Sequence, residues 1–500
     1  MLKWLLPVLC LLSLLCGVAH TEEITLVPGD GCNLTIRERV SSTHLIAGLS
    51  VPAHNWFAGT LSHLPTTEAV TIDLPMTGND GGINKGDVRK WVGLRPMMTY
   101  ADPSRYESYE TFTRTAQGRW VSNDPFQSGE AKDAGIGKVP RQTAIPAEVA
   151  EQFLSADGNS WYPWREMDAV EADVGTNTFR MQQRFTLSTA TIALHVPFTD
   201  TYLQAFLTRL KARKLPCITV DVAVTTPGQR ALSIIRIDDP TPPDKDVFYP
   251  TVLVIAGEHA TEHASSWALF GLLSRLASTP LTSPLRKGRT WLFLPIEDPE
   301  GRAQSNFERI IESFCFPRSQ YPEVLAYTHY LTDFAFPTGR PIDIVVDLHN
   351  VEANEGEHLF CPIANIGHVD MVRDFNRSFF HRLTEQGYQA GDAEHLPDIQ
   401  RPMRARLYGW CVEATASFDL IYEVNDRYPP RRLALAELQG LGISLGDALV
   451  AWCDSPQGKA WHQHACQVMA KRLKDREQYF QERNRDPAMR LPFDTVVQGY

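Results

Sequence analysis

The chain has 500 residues, of which 43% are hydrophobic and 21% are charged. This composition is typical of a folded, water-soluble protein and excludes a largely disordered one. The length exceeds what a single ordinary hydrophobic core organises, and it therefore predicts two domains. The net charge of −11 disfavours nonspecific binding to nucleic acid or to an anionic membrane, so we expect no nucleic-acid partner.

The N-terminus has the pattern of a secretory signal peptide. Lys3 supplies the positive charge, residues 5–15 form a short apolar run, and residues 17–19 offer a small-residue cleavage site. We predict a signal peptide over residues 1–19 and a secreted or periplasmic protein. The apolar run is short for a membrane span, with an uncleaved anchor as the alternative. No later stretch is long and apolar enough to span a bilayer, so we expect no transmembrane segment after signal removal.

The cysteines do not indicate a metal site. There are nine, and two of them, Cys10 and Cys16, fall within the predicted signal peptide. No pair has the CxxC spacing of a cysteine zinc site. An oxidising compartment would permit disulfides, but the spacing does not indicate which cysteines would pair.

Residues 24–195 have the pattern of an all-β domain. They are rich in Gly, Pro, Thr and Asn, and polar and apolar residues alternate at 68–74 and 179–187. Turn sequences such as 78–82 and 157–159 separate the short stretches. The pattern predicts an antiparallel β-sandwich, with a long surface loop between about 120 and 145.

From residue 196 the pattern changes to buried strands that alternate with helices. The predicted helices are 199–212, 263–276, 369–385 and 432–452, and the predicted strands are 218–224, 232–237, 252–256, 291–296, 342–348 and 418–424. The first two strands form an edge hairpin, and the nearly all-apolar later strands are typical of a sheet covered on both faces. We predict an α/β domain over residues 196–455, a mixed sheet flanked by helices. Residues 456–500 form a polar tail with a charged helix at about 463–483.

Two strand ends carry potential metal ligands. His259 and Glu262 follow directly after the buried strand 252–256, and His349 ends the strand predicted at 342–348. Ligands of α/β proteins bind at the carboxyl ends of the strands, so these side chains are expected to meet at one sheet edge. Two histidines and one carboxylate, with a position left open, are the ligands of a catalytic zinc ion. The sequence therefore predicts a zinc-dependent hydrolase.

Two other interpretations compete with this one. A histidine at a strand end is often a structural residue, and only the third ligand makes a metal site the better explanation. Residues 259–263 also read HxxEH, the inverzincin motif, which requires both histidines on one helix. In this chain His263 begins the predicted helix, and Asp347 and His349 would then have no role.

The ordered motifs resemble the zinc carboxypeptidases of the funnelin type, within them the cytosolic-carboxypeptidase-like branch that carries an N-terminal β-sandwich. His259-x-x-Glu262 resembles the family's first metal motif, and Asp347-Leu-His349 resembles its third-ligand strand. The segments 298–301, 417–423 and 196–202 resemble, in turn, its Asn-Pro-Asp-Gly loop, its general-base segment and its entry into the first helix.

The resemblance implies a role for each matching residue. His259, Glu262 and His349 would bind one zinc ion per chain, and Glu423 would be the general base that activates water. Arg309 would stabilise the oxyanion. Arg318 and Arg406 would bind the substrate carboxylate.

The chain also departs from the family pattern. Asp298 and Pro317 each replace an asparagine, and Asn350 follows His349, as in the related aspartoacylase and succinylglutamate desuccinylase deacylases. The implied function is a secreted zinc metallocarboxypeptidase that acts on peptides. The alternatives are a zinc amidohydrolase or deacylase acting on N-acyl amino acids or cell-wall peptides, and an inactive binding protein on the same scaffold.

Overall fold

The computed structural model describes residues 23–50, 56–76, 87–124, 145–241, 248–307, 309–310, 321–350, 357–400, 407–426 and 432–485. The predicted signal peptide lies outside these ranges, as do Arg318, Arg406 and most of the predicted surface loop at 120–145.

The N-terminal region is built from short strands. They are β1 (Thr25–Val27), β2 (Leu34–Ser41), β3 (His44–Leu49), β4 (Ala58–Ser62), β5 (Ala69–Pro75), β6 (Met97–Thr99), β7 (Phe112–Arg114), β8 (Trp120–Ser122), β9 (Ser160–Trp161), β10 (Arg165–Glu166), β11 (Ala169–Asp173), β12 (Thr178–Arg184) and β13 (Thr189–Ala193). Two five-stranded sheets have the orders β1-β4-β13-β6-β10 and β11-β12-β5-β3-β2, and a small sheet has the order β8-β7-β9. Short 3₁₀ helices lie at Val88–Trp91, Tyr106–Tyr109 and Ala150–Phe153. The all-β prediction is confirmed.

The prediction of a wholly antiparallel sandwich is wrong in one place. β3 and β5 pair in parallel, with His44 opposite Thr71. The chain passes through β4, in the other sheet, before it returns as β5. This crossing brings β5 back in the direction of β3, which a direct hairpin between them could not do.

A seven-stranded mixed sheet forms the second region. Its strands are β14 (Ile218–Thr225), β15 (Ala231–Asp238), β16 (Thr251–Ala256), β17 (Thr290–Leu294), β18 (Ile344–Asn350), β19 (Leu359–Phe360) and β22 (Phe418–Val424), in the order β14-β15-β17-β16-β18-β22-β19. The four strands β17, β16, β18 and β22 run parallel. They are almost entirely buried, which explains their continuous apolar sequences. A two-stranded sheet pairs β20 (Ile363–Asn365) with β21 (Asp398–Gln400).

Helices cover this sheet. They are α1 (Asp200–Ala212), α2 (His263–Ser278), α3 (Pro299–Gln304), α4 (Pro322–Ala335), α5 (Val369–Glu385), α6 (Leu407–Thr415), α7 (Leu435–Asp454) and α8 (Pro456–Arg485). α2 and α7 pack closely because glycine lines the contact: a Cβ at Gly442 would lie 1.7 Å from Ala268 O. None of the helices in the described part of the chain has the length and hydropathy needed to cross a bilayer.

The two C-terminal helices differ from their predicted bounds. α7 begins at Leu435 instead of 432, because the backbone N–H of Ala434 donates to the Glu437 side chain and fixes Ala434 as an extended cap. Pro456 then ends α7, since the residue before a proline disfavours helical backbone. The same proline begins α8 seven residues before the predicted start at 463, as proline suits the first position of a helix.

The predicted two domains share a continuous apolar core. One buried cluster includes side chains from the N-terminal sheets, such as Trp91, and from the α/β region, such as Trp267. Phe198 joins the two regions and packs edge-on against Trp267, with ring centroids 4.8 Å apart. Tyr109 reaches the same tryptophan from the N-terminal side at 5.7 Å. The N-terminal sheets are therefore packed firmly against the helix that follows the predicted metal motif.

The cysteines that the structure describes are free thiols. They are Cys32, Cys217, Cys361, Cys411, Cys453 and Cys466. The disulfide that an oxidising compartment would permit is therefore not formed among them. Export of the chain stays a prediction.

His462 links α8 to the α/β sheet and is expected to make stability depend on pH. Its Nδ1 lies 2.6 Å from Asp343 Oδ1 and its Nε2 lies 2.8 Å from Phe248 O. Burial by itself would lower the pKa of His462, but the hydrogen bond to Asp343 and the charge of Asp343 raise it to about 10, from 6.5. Because the folded pKa is the higher one, this stabilisation is complete below about pH 6.5 and disappears as the pH rises through about 10.

We therefore expect His462→Ala to lower the free energy of unfolding by about 1.5–3 kcal/mol at pH 6. The loss should be much smaller at pH 10.5. Urea unfolding at both pH values measures it, and His464→Ala, at an exposed position of the same helix, is the control. An equal loss at both pH values would contradict the charged pair.

Candidate metal centre

The predicted metal ligands lie where the order of the parallel strands reverses. β17, the next strand along the chain, lies on one side of β16 in the sheet, and β18 lies on the other side of β16. The carboxyl ends of β16 and β18 thus flank a crevice of the kind in which α/β proteins bind ligands. His259 and Glu262 lie on the loop after β16, and His349 is the second-last residue of β18. The loop begins at Gly257, whose φ of 75° favours glycine.

The structure brings the three predicted ligands together. His259 Nδ1 lies 2.5 Å from Glu262 Oε1, and His349 Nδ1 lies 3.2 Å from Glu262 Oε2. The two Nδ1 atoms are 3.4 Å apart. All three side chains are largely buried, so the donor atoms form one compact, enclosed group.

This group fits a zinc ion. Zinc bonds of about 2.0–2.2 Å in a tetrahedral site place neighbouring ligand atoms roughly 3.3 Å apart, close to two of the three observed separations. Glu262 Oε2 is buried and accepts no hydrogen bond from the described residues. Burial raises the pKa of Glu262, but the charges of His259 and His349 outweigh this and lower it to about 2. Glu262 therefore offers an anionic oxygen, and the two histidines would offer nitrogens to a metal that displaces their protons.

Glu258 competes with Glu262 for the third ligand position. Glu258, His259 and His349 can each place one ligand atom within 4.8 Å of the others. However, Glu258 Oε2 lies 3.5 Å from Nε2 of His349, on the opposite edge of that ring from Glu262. Asp347 Oδ2 lies 3.4 Å from the same Nε2. Glu258 and Asp347 are therefore better placed to orient His349, as carboxylates behind metal-binding histidines do.

Sequence reasoning missed both of these carboxylates as site residues. A signal was available for Asp347, because alternate residues of a strand point to the same face and Asp347 precedes His349 by two. For Glu258 no pattern was available, since its approach to His349 depends on the path of the loop.

Glu423 lies beside the group. It pairs in register with His349 on the adjacent parallel strand β22, which places both residues at the same level of the sheet edge. Glu423 Oε2 is buried and has no hydrogen-bond partner among the residues that the structure describes. Burial raises the pKa of Glu423 to about 7. A carboxylate with such a pKa can both accept and release a proton near neutral pH.

A further buried acid, Glu297, lies near the charged groups around His349. Glu297 is buried just beyond β17 and forms a hydrogen bond with Tyr327. Burial, with the nearby charges of Glu258 and Asp347, raises the pKa of Glu297 well above its ordinary value. No sequence pattern identified Glu297 as part of this group, because the strand ends meet only in the folded sheet.

Arg309, the predicted oxyanion-stabilising arginine, is held by two carboxylates. Its Nε lies 2.9 and 3.0 Å from the two carboxylate oxygens of Asp298, and its Nη2 lies 2.5 Å from Glu323 Oε1. Asp298 and Glu323 are both fully buried. The structure thus explains the aspartate that replaces the family's asparagine: Asp298 neutralises Arg309 and also caps α3 by accepting from Gly301 N. The other predicted arginines, Arg318 and Arg406, lie outside the described residues.

Two further sequence features have structural explanations. Asn350 Oδ1 accepts a hydrogen bond from Ser265 N at 2.7 Å, in the first turn of α2, so this side chain ties β18 to α2. His263 Nδ1 accepts from Phe198 N at 2.8 Å, which directs that ring to the junction between the two regions. The HxxEH interpretation, which needs His263 as a metal ligand, is not supported by this geometry.

Comparison with solved structures of other proteins agrees with the fold described above. No protein-family model and no curated protein matches the sequence. Among solved structures, a metallo-carboxypeptidase from Pseudomonas aeruginosa, in complex with (2-guanidinoethylmercapto)succinic acid, is similar with a TM-score of 0.58 and 14% identity, over 86% of this chain and 99% of that one. A metallo-carboxypeptidase from Burkholderia cenocepacia is similar with a TM-score of 0.54 and 14% identity, over 86% and 98% of the two chains.

At these identities the likeness establishes the fold. The chain has the metallo-carboxypeptidase fold, with a β-rich region before the α/β region, as the resemblance of its motifs predicted. Membership of the cytosolic-carboxypeptidase-like branch stays a prediction.

Proposed function

We propose that this protein is a secreted or periplasmic zinc metallocarboxypeptidase that removes C-terminal amino acids from peptides. One observation carries the proposal: His259 and His349 both direct Nδ1 at Glu262, with Glu423 in register beside His349. The fold shared with bacterial metallo-carboxypeptidases supports the reaction class. The predicted signal peptide at residues 1–19 supports the location.

Each residue of the group has a separate role in the proposed reaction. When bound by His259, Glu262 and His349, a zinc ion supplies Lewis acidity that lowers the pKa of water and polarises the scissile carbonyl. Glu423 accepts the proton of the attacking water at its carboxylate and passes it to the departing amine. The carboxylates of Asp347 and Glu258 lie 3.4 and 3.5 Å from His349 Nε2, and their charge favours the ring orientation that directs Nδ1 at the metal position.

The substrate-binding group separates exopeptidase action from the alternative. A carboxypeptidase needs a cation for the C-terminal carboxylate of the substrate, and Arg318 and Arg406 stay our proposed residues for it. An amidohydrolase or deacylase for N-acyl amino acids or cell-wall peptides would use the same metal centre with a different pocket. An inactive binding protein is less favoured, because His259, Glu262 and His349 lie together and Glu423 lies beside His349.

Metal content and peptide cleavage test the proposal together. Purified protein is expected to hold about one zinc ion per chain and to lose its activity on chelation. Peptides with a free C-terminus should be cleaved at least about 100-fold faster than their amidated forms, because an amide leaves the carboxylate-binding cation without its charged partner. Equal cleavage of both forms would favour the amidohydrolase. Absence of zinc, with activity that resists chelation, would refute the metal centre.

A further inference from the structure

Arg302 is a fully buried arginine beneath the metal-binding loop. It lies in α3 and is 1% exposed. Within the described part of the chain, no carboxylate oxygen lies within 4.0 Å of its guanidinium, unlike that of Arg309. Burial lowers the pKa of Arg302 to about 9, which leaves the group charged at neutral pH. Burying a cation without a direct carboxylate partner costs free energy. The groups that Arg302 contacts therefore indicate what role the residue has.

The guanidinium contacts both ends of the loop that carries His259 and Glu262. Its Nη2 donates to the backbone oxygen of Glu262 at 3.3 Å and to Ser266 Oγ at 3.0 Å. At the other end, a Cβ on Gly257 would lie only 2.6 Å from the same Nη2. Arg302 thus supports the loop from beneath, and a side chain at Gly257 would displace it.

The other edge of the guanidinium contacts the junction with the N-terminal sheets. Nη1 donates to Phe198 O at 3.2 Å and to His263 Nδ1 at 2.8 Å. His263 Nδ1 also accepts from Phe198 N, so this nitrogen is unprotonated and the ring is neutral. Burial lowers the pKa of His263 well below its ordinary value, in agreement with this state.

Trp56 extends the contact into the N-terminal sheets. Its ring lies 4.0 Å from that of His263, measured between centroids. Its Nε1 donates to Ser305 Oγ at 3.1 Å, directly after α3. A continuous set of buried contacts therefore leads from the N-terminal region through His263 and Arg302 to the backbone of Glu262.

We propose that Arg302 is a positioning residue for the metal loop, and that it couples the geometry of His259 and Glu262 to the docked N-terminal sheets. The loop contains Gly257 in a left-handed conformation and ends without a side-chain cap from Glu262 on α2. Its own hydrogen bonds include the turn from Glu262 N to His259 O and the bond from Ser265 Oγ to Glu262 O, and Arg302 adds a contact from a different helix. The planar guanidinium holds its N–H donors in a fixed geometry, so Nη1 and Nη2 can fix several backbone and side-chain acceptors relative to one another. The inference rests on the proposed function, since it needs the metal to bind at this loop.

Metal affinity tests this role in the full-length protein. We expect Arg302→Met to weaken zinc binding about 10–100-fold, the usual effect of removing a residue that supports metal ligands. Competition with a chromophoric chelator measures the affinity. The absorption spectrum of the cobalt-substituted protein, which reports ligand geometry, should change as well. Arg302→Lys keeps the charge but not the planar guanidinium. Its zinc affinity should therefore lie between that of the wild type and that of Arg302→Met.

Arg286 provides the matched control. It is 2% exposed, donates to the backbone oxygen of Pro216, and has no carboxylate within 4.0 Å among the residues described. Arg286→Met should therefore lower the free energy of unfolding, as the loss of any buried arginine is expected to do. Its zinc affinity and the spectrum of its cobalt-substituted form should stay at the wild-type values. A purely structural role for Arg302 would make the two variants behave alike.

The outcomes separate this inference from the proposed function. If the wild-type protein binds no zinc, both fail. If it binds zinc and folded Arg302→Met has the same affinity and spectrum, only the positioning role fails. If Arg302→Met does not fold, Arg302→Lys and Ser266→Ala decide: a loss of about 3-fold or more in affinity supports the role. Wild-type values for both variants overturn it.

Discussion

Glu423→Gln is expected to lower turnover by about 10²–10⁴-fold, because an amide cannot accept the proton of the attacking water. The substitution keeps the size of the side chain, and Glu423 lies outside the group formed by His259, Glu262 and His349. Zinc content should therefore stay at the wild-type level. The expected combination is an inactive protein that still holds its metal.

Turnover of a free C-terminal peptide and zinc content, measured on the same preparation, test this expectation. Glu385→Gln is the matched control, since Glu385 is exposed at the end of α5 and should change neither quantity. A Glu423→Gln protein with normal turnover would refute the base assignment. Loss of zinc together with turnover would instead place Glu423 among the metal ligands.

Arg309→Met is expected to lower the free energy of unfolding by about 3–5 kcal/mol, because it leaves two buried carboxylates without their cation. Asp298 and Glu323 both contact the guanidinium, and neither is exposed to solvent. Burial already raises the pKa of Asp298, and the hydrogen bond and charge of Arg309 oppose that rise. Without Arg309, nothing from this guanidinium lowers the pKa of Asp298, so Asp298 would bind a proton in the folded state at higher pH.

A double variant separates this effect from general disruption. Asp298→Asn removes one of the two charges and retains an oxygen that can accept from Gly301 N. The double variant Asp298→Asn/Arg309→Met should lose less free energy of unfolding than the sum of the losses of the two single variants, as expected for residues in direct contact. Denaturant unfolding of the four proteins measures the coupling. A stable Arg309→Met protein with about 100-fold lower turnover would instead support the predicted oxyanion role.

Much of the α/β region was predictable because its patterns are local. The bounds predicted for the helix at 369–385 and the strand at 418–424 agree with α5 and β22. Apolar periodicity sets these elements wherever they lie in the fold. That His259, Glu262 and His349 would lie close together was also predictable, since parallel strands present their carboxyl ends at one edge, and these residues follow apolar runs.

The connections between distant segments were not predictable. β3 and β5 pair in parallel because of where β4 lies, and no local pattern records that. The resemblance predicts that Arg309 stabilises the oxyanion, but it does not predict the contacts with Asp298 and Glu323, which form only once α3 and α4 have packed. Asp298 was read as a departure from a motif, whereas its carboxylate is the partner of that arginine.

The sequence by itself therefore determined which strands end in side chains of the kinds that bind metals, and hence the class of chemistry that we propose for this sheet edge. Only the tertiary structure decided how these side chains are held. Glu258 and Asp347 orient His349, and Arg302 lies beneath the loop. The physical reason is distance along the chain: periodicity and capping act within a few residues, while these contacts join segments that meet only after the sheet has formed.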